Sequence, residues 1–99
     1  MFKIYRNKKT SHPSISLKSK DKTSWHNLEI THHPRKNDRY IEIEKLNKRD
    51  GYKTYVRKYI RHDKHKYKGF RYREYKLSPY SEFIIKQYLK QHYKKMMSI

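Results

Sequence analysis

The 99-residue sequence has no cysteine and no alanine, one valine (Val56), two glycines and three prolines. Without cysteine there is no disulfide, no thiol nucleophile and no Cys-based zinc site. No apolar run is longer than Phe83-Ile84-Ile85. Neither a membrane-spanning helix nor a secretory core is therefore expected, and the expected setting is cytoplasmic. Acid is scarce as well, with nine Asp+Glu against 27 Lys+Arg and a net charge of +18. Hydrophobic residues make up 33% of the chain, and eleven of them are tyrosines. Such high charge and low hydrophobicity lie on the disordered side of the usual divide. An aromatic content of 15% points the other way, towards order. Together they predict one small domain whose self-repulsion is relieved by a polyanion.

The charge is unevenly spread. Residues 1–24 hold seven cations and one acid, net +6, while residues 25–50 hold six and five, net +1. Residues 51–77 hold ten and two, net +8, and residues 78–99 hold four and one, net +3. A surface built only for solubility mixes its signs more evenly. The basic load falls on the N-terminal segment and on 51–77, which are the places to look for a polyanion.

Alternation marks the strands. Residues 1–13 are expected as a basic N-terminal arm in which Phe2 and Ile4 alternate, with a short strand as an option. Ile15 and Leu17, then Leu28 and Ile30, suggest a hairpin with a longer loop through 19–24. Arg39–Leu46 sets Ile41 and Ile43 against Glu42 and Glu44, a strand pattern. Asp50-Gly51 is a hairpin cue leading into Tyr52–Arg61, and Gly69 precedes a last strand, Phe70–Leu77. A helix follows, with Ser78 as N-cap, Pro79 at the first helical position and Glu82 in the first turn. Its apolar face should carry Ile84, Ile85, Tyr88, Leu89, His92 and Met96, with Met96 and Met97 as a frayed, gap-filling end. The expected fold is α+β: a twisted antiparallel sheet of four or five strands with one C-terminal helix packed on one face. Residues 14–99 should form a single domain.

Strand alternation also sorts the cations. Lys53, Tyr55, Arg57, Tyr59 and Arg61 share one face, and Arg71, Arg73 and Tyr75 share the corresponding face of the last strand. Guanidinium and ammonium groups neutralise phosphates, and tyrosine rings offer stacking planes for unpaired bases. Lys64, Lys66 and Lys68 in the 62–68 loop add further phosphate contacts. Glu42 and Glu44 could pair with some of these cations across the strands, but they cannot absorb a surplus of eight. The expected partner is therefore nucleic acid, DNA or RNA, with a nucleoprotein complex as a further option.

Seven histidines raise the question of chemistry. His62 and His65 have H-x-x-H spacing around Asp63, but no further ligands can be placed, so neither metal nor cofactor is expected. RNA cleavage without metal needs a base, an acid and a cation. His12, His32 or His33, Arg57 and Tyr59 could supply these, although the residues alone favour binding over catalysis. The segments Ser11-His12-Pro13-Ser14, Ile30-Thr31-His32-His33 and Tyr55-Val56-Arg57-Lys58 resemble parts of small uncharacterised basic proteins of Firmicute phages and mobile elements. They cover under a fifth of the chain. The resemblance implies a setting in which small basic proteins bind DNA or RNA, act as toxins, or inhibit host defence nucleases. Three functions stand open at this point: a nucleic-acid-binding protein, a metal-independent ribonuclease toxin, and an inhibitor docking on a nucleic-acid-handling complex.

Overall fold

A computed structural model describes residues 1–19 and 21–93. Among the described residues seven strands precede one helix: β1 Lys3–Asn7, β2 Pro13–Ser16, β3 Trp25–Thr31, β4 Tyr40–Ile43, β5 Thr54–Arg57, β6 Arg61–Asp63 and β7 Lys68–Arg71, then α1 Pro79–Tyr93. Short 3₁₀ turns occupy Asn37–Arg39 and His65–Tyr67. All pairings are antiparallel, in the order β4-β5-β3-β2-β1-β7, and β6 pairs with β3. The architecture is α+β, with more strands than the four or five expected.

Two segments account for the extra strands. The first is the N-terminal segment expected as an arm. It supplies β1, hydrogen-bonded between β2 and β7, with Ile4 and Asn7 both buried. The second is Tyr52–Arg61, which splits into β5 and β6 along the same edge of β3. Ile30 is opposite Val56, and Asn27 is opposite Arg61. Five residue steps on one side thus span three on the other, and the surplus leaves the ladder at 58–60 as a bulge. The Lys58 N–H donates to the Arg39 carbonyl at 2.9 Å, and its own carbonyl accepts from the Tyr88 hydroxyl at 3.1 Å. Because the slip is an even number, side chains keep their faces. Asp50-Gly51 lies in the loop 44–53 between β4 and β5, and Gly51 has no positive φ, so it does not make the tight primed turn that the dipeptide suggests. Gly69 fits β7 closely against β1, since a Cβ there would lie 2.9 Å from the Arg6 carbonyl oxygen.

Register builds the core. Ile4, Ile15 and Leu28 lie side by side across β1–β2–β3, and Ile30, Val56 and Ile41 across β3–β5–β4. Ile85 and Leu89 of α1 join the same buried cluster. The Ser78 hydroxyl caps the helix by accepting the Ser81 N–H at 3.1 Å, as the sequence suggests. Glu82 accepts the Phe2 N–H at 2.9 Å and ties the chain start to the helix. His92 is exposed and stacks on Tyr88 rather than joining the core. Met96 and Met97 lie outside the described residues. Among the described residues, no helix is long and apolar enough to cross a membrane.

Candidate nucleic-acid interface

The sheet face away from Ile4, Ile15 and Leu28 follows from the same register. It carries Lys3 and Tyr5 of β1, Asn27 and Glu29 of β3, Tyr55 and Arg57 of β5, and Arg61 and Asp63 of β6. Arg71 of β7 is opposite Tyr5 and joins them. Cations and tyrosines gather here in two clusters.

The first cluster surrounds β5. Lys53 is exposed, with Glu42 at 3.8 Å, and Tyr55 is half-buried. The Arg57 guanidinium lies 5.4 Å from the centre of the Tyr59 ring, which is 59% exposed in the 58–60 bulge. The second cluster lies along β1 and β7. The Lys68 ammonium stands 4.3 Å from the centre of the Tyr5 ring, and half-buried Arg71 is opposite the same tyrosine. The exposed Lys64 and Lys66 precede them, and Lys66 and Lys9 lie 5.3 and 5.6 Å from the Tyr67 ring.

Three of the expected residues are placed differently. Arg61 turns onto Asp63, donating from Nε to Oδ2 at 3.1 Å and from Nη2 to Oδ1 at 3.0 Å. Asn7 and Asn27 donate to the same Oδ2 at 2.9 and 3.0 Å. Burial pushes the Asp63 carboxyl up, but hydrogen bonds from Arg61, Asn27 and Asn7 outweigh it and hold the group at about 2. Arg61 is thereby committed to the network around Asp63. Tyr75 stacks on Tyr72, with ring centres 4.8 Å apart, and packs against the core. Strand β7 ends at Arg71, so the alternation that put Arg73 and Tyr75 beside it no longer holds; Arg73 is exposed in the segment that follows.

Tyr5, Lys3 and Glu29 belong to this face and were not singled out from the sequence. Tyr5 was hidden by treating residues 1–13 as an arm. Glu29 had a legible signal, since it is the lone acid within an alternating apolar strand. Its Oε1 lies 3.4 Å from His12 Nε2, and its Oε2 lies 3.8 Å from Arg57 Nη1. His12 is positioned by the β1–β2 turn. Asn7 Oδ1 accepts the Lys9 and Thr10 N–H groups, Ser11 adopts a φ of 65°, and the His12 carbonyl accepts the Asn7 N–H at 2.9 Å.

His62 stacks on buried His26, with ring centres 4.0 Å apart, while Asp63 points into the Asn7–Asn27 network. His62 and Asp63 thus lie on opposite faces of β6, and His65 lies beyond the strand in the 3₁₀ turn, its Nε2 3.3 Å from the Lys22 carbonyl oxygen. Among the described residues, no group of three or more His, Asp or Glu is placed to hold a metal ion. No protein-family model, curated protein or solved structure matches the chain.

Proposed function

We propose that this protein binds nucleic acid, as a single strand, across the sheet face that carries Tyr5, Tyr55 and Arg57. The observation that carries this reading is the repeated pairing of a cation with a tyrosine ring, Arg57 with Tyr59 in one cluster and Lys68 with Tyr5 in the other. The cations neutralise phosphates and release condensed counterions, while the rings offer stacking surfaces to unpaired bases. Lys64 and Lys66 extend the basic track beyond β6. A net charge of +18 adds long-range attraction and speeds encounter.

Salt titration of binding to a labelled single-stranded oligonucleotide tests the reading. With at least about five phosphate contacts, log K should fall by about 0.7 per contact for each unit of log salt. Replacing Arg57 and Lys68 by glutamine should weaken binding and flatten the slope by about two contacts. Replacing Lys45 and Lys48, which belong to neither cluster, should cost much less. Affinity that does not change with salt, or equal losses from both pairs, would show that this face is not the binding surface.

A further inference from the structure

We infer that His12, Glu29 and Arg57 form a metal-independent site that cleaves RNA by attack of the 2′-hydroxyl on the adjacent phosphate. The inference rests on the nucleic-acid reading above and assigns that surface a substrate and a reaction.

Three residues far apart in sequence converge here, and each is held by a structured element. Glu29 lies within the longest strand, opposite Ser14 of β2. Arg57 is the last residue of β5, and His12 leaves the pinned β1–β2 turn. His12 and Arg57 address different oxygens of one carboxylate, at 3.4 and 3.8 Å. These separations exceed a charge-assisted hydrogen bond, so neither partner is locked. The side chains of His12, Glu29 and Arg57 remain 43%, 16% and 36% exposed, so a strand crossing the face can reach all three.

The residue types match what the reaction needs. RNA carries its own nucleophile in the 2′-hydroxyl, so cleavage requires a base, an acid and a fixed positive charge at the phosphate. An entering phosphodiester takes Arg57 from Glu29 and wedges between Glu29 and His12. Glu29 then accepts the 2′-hydroxyl proton as the 2′-oxygen bonds to phosphorus. The bond from phosphorus to the 5′-oxygen breaks, and protonated His12 gives its proton to that leaving oxygen. Arg57 stays charged throughout and stabilises the non-bridging oxygens of the phosphorane. The products are a 2′,3′-cyclic phosphate and a 5′-hydroxyl. Glu29 ends protonated and His12 neutral. In the free protein the two stand 3.4 Å apart, so a proton passing from Oε1 to Nε2 resets the site. No metal, water or redox partner enters the balance. DNA, which lacks the 2′-hydroxyl, is bound without being cut.

The test uses full-length protein in EDTA, with three oligonucleotides of one sequence: RNA, DNA and 2′-O-methyl RNA. Wild type should bind all three, cut only RNA, and leave 2′,3′-cyclic phosphate ends detectable by mass spectrometry. Glu29→Gln and His12→Gln should each lower the cleavage rate by at least about a hundredfold. Both should still bind the 2′-O-methyl RNA, which shows that they fold. Glu29→Gln should bind it somewhat more tightly, because a negative charge has left the face. Lys48→Gln should cleave like wild type. Binding of all three oligonucleotides without RNA cleavage would overturn this inference and leave the binding proposal standing. Failure to bind any of them would overturn both. Cleavage that survives in both variants, occurs on DNA, or leaves 5′-phosphate ends would also overturn the inference.

Discussion

Glu29 and Asp63 are two carboxylates on the same face of one sheet, and their surroundings differ in almost every respect. Asp63 is 2% exposed and accepts four hydrogen bonds between 2.9 and 3.1 Å from Arg61, Asn7 and Asn27. Glu29 is 16% exposed, with the His12 ring at 3.4 Å and the Arg57 guanidinium at 3.8 Å. The first has no oxygen left for a ligand. The second holds its partners at separations longer than a charge-assisted hydrogen bond. Sequence shows each as the lone acid of its strand and does not tell which one has its hydrogen bonds filled. Hydrogen-bond saturation separates them: a buried charge is tolerated when its bonding capacity is filled, and a charge left loosely bonded near solvent can be used.

Removing the filled carboxylate should have the largest effect. Asp63→Ala leaves Arg61 without its partner and two buried amides short of an acceptor, and should cost about 3–5 kcal/mol. The check is a denaturant unfolding curve, and a loss below about 1 kcal/mol would place Asp63 with Glu29 after all. Leu89→Ala on the helix side, at a site that is 1% exposed, should cost about 2–5 kcal/mol. A wild-type melting curve for that variant would mean that α1 does not cover the sheet.

Acid should distinguish the carboxylates in the unmodified protein. The folded pKa of Asp63 is depressed from 3.8 to about 2, so the folded state binds fewer protons than the unfolded state in this window. Its contribution, about 2 kcal/mol, is complete above 3.8 and is lost as pH falls through the folded value. Unfolding free energy measured across this range should drop, and Asp63→Asn should lose most of the drop. The smallest effect is expected for Glu29→Gln, within about 0.5 kcal/mol of wild-type stability, because its pairings are longer than hydrogen bonds and glutamine keeps the side chain's shape. A larger loss would make Glu29 a structural residue and erase the contrast with Asp63.

Much of the sheet was legible in the alternation. Ile15, Leu28, Ile30, Val56 and Ile60 are all buried as their spacing predicts. The helix start was legible too, because Ser78 and Pro79 act through local backbone chemistry. What was not legible depended on contacts between distant segments. The pattern of Phe2 and Ile4 is too short to reveal that β1 lies between β2 and β7. The break at 58–60 arises from β3 pairing with both β5 and β6, with a two-residue surplus on their side. Tyr75 left the expected face once β7 stopped at Arg71 and its ring met Tyr72.

Charge and periodicity thus determined the cationic surplus of this chain and the faces of its strands, since both are additive or local properties of the residues. A surplus of cations stays a surplus however the chain folds, and a period of two survives even an interrupted strand. The grouping of particular side chains was decided by tertiary structure alone. Arg57 and Arg61 sit four positions apart on one expected face, yet one is left facing Glu29 and the other is bound to Asp63. That division depends on which residues of β1 and β3 lie across from them, Asn7 and Asn27 beside Arg61, and on the turn that brings His12 to Glu29. Strand register sets such neighbours, and register is a property of the whole sheet.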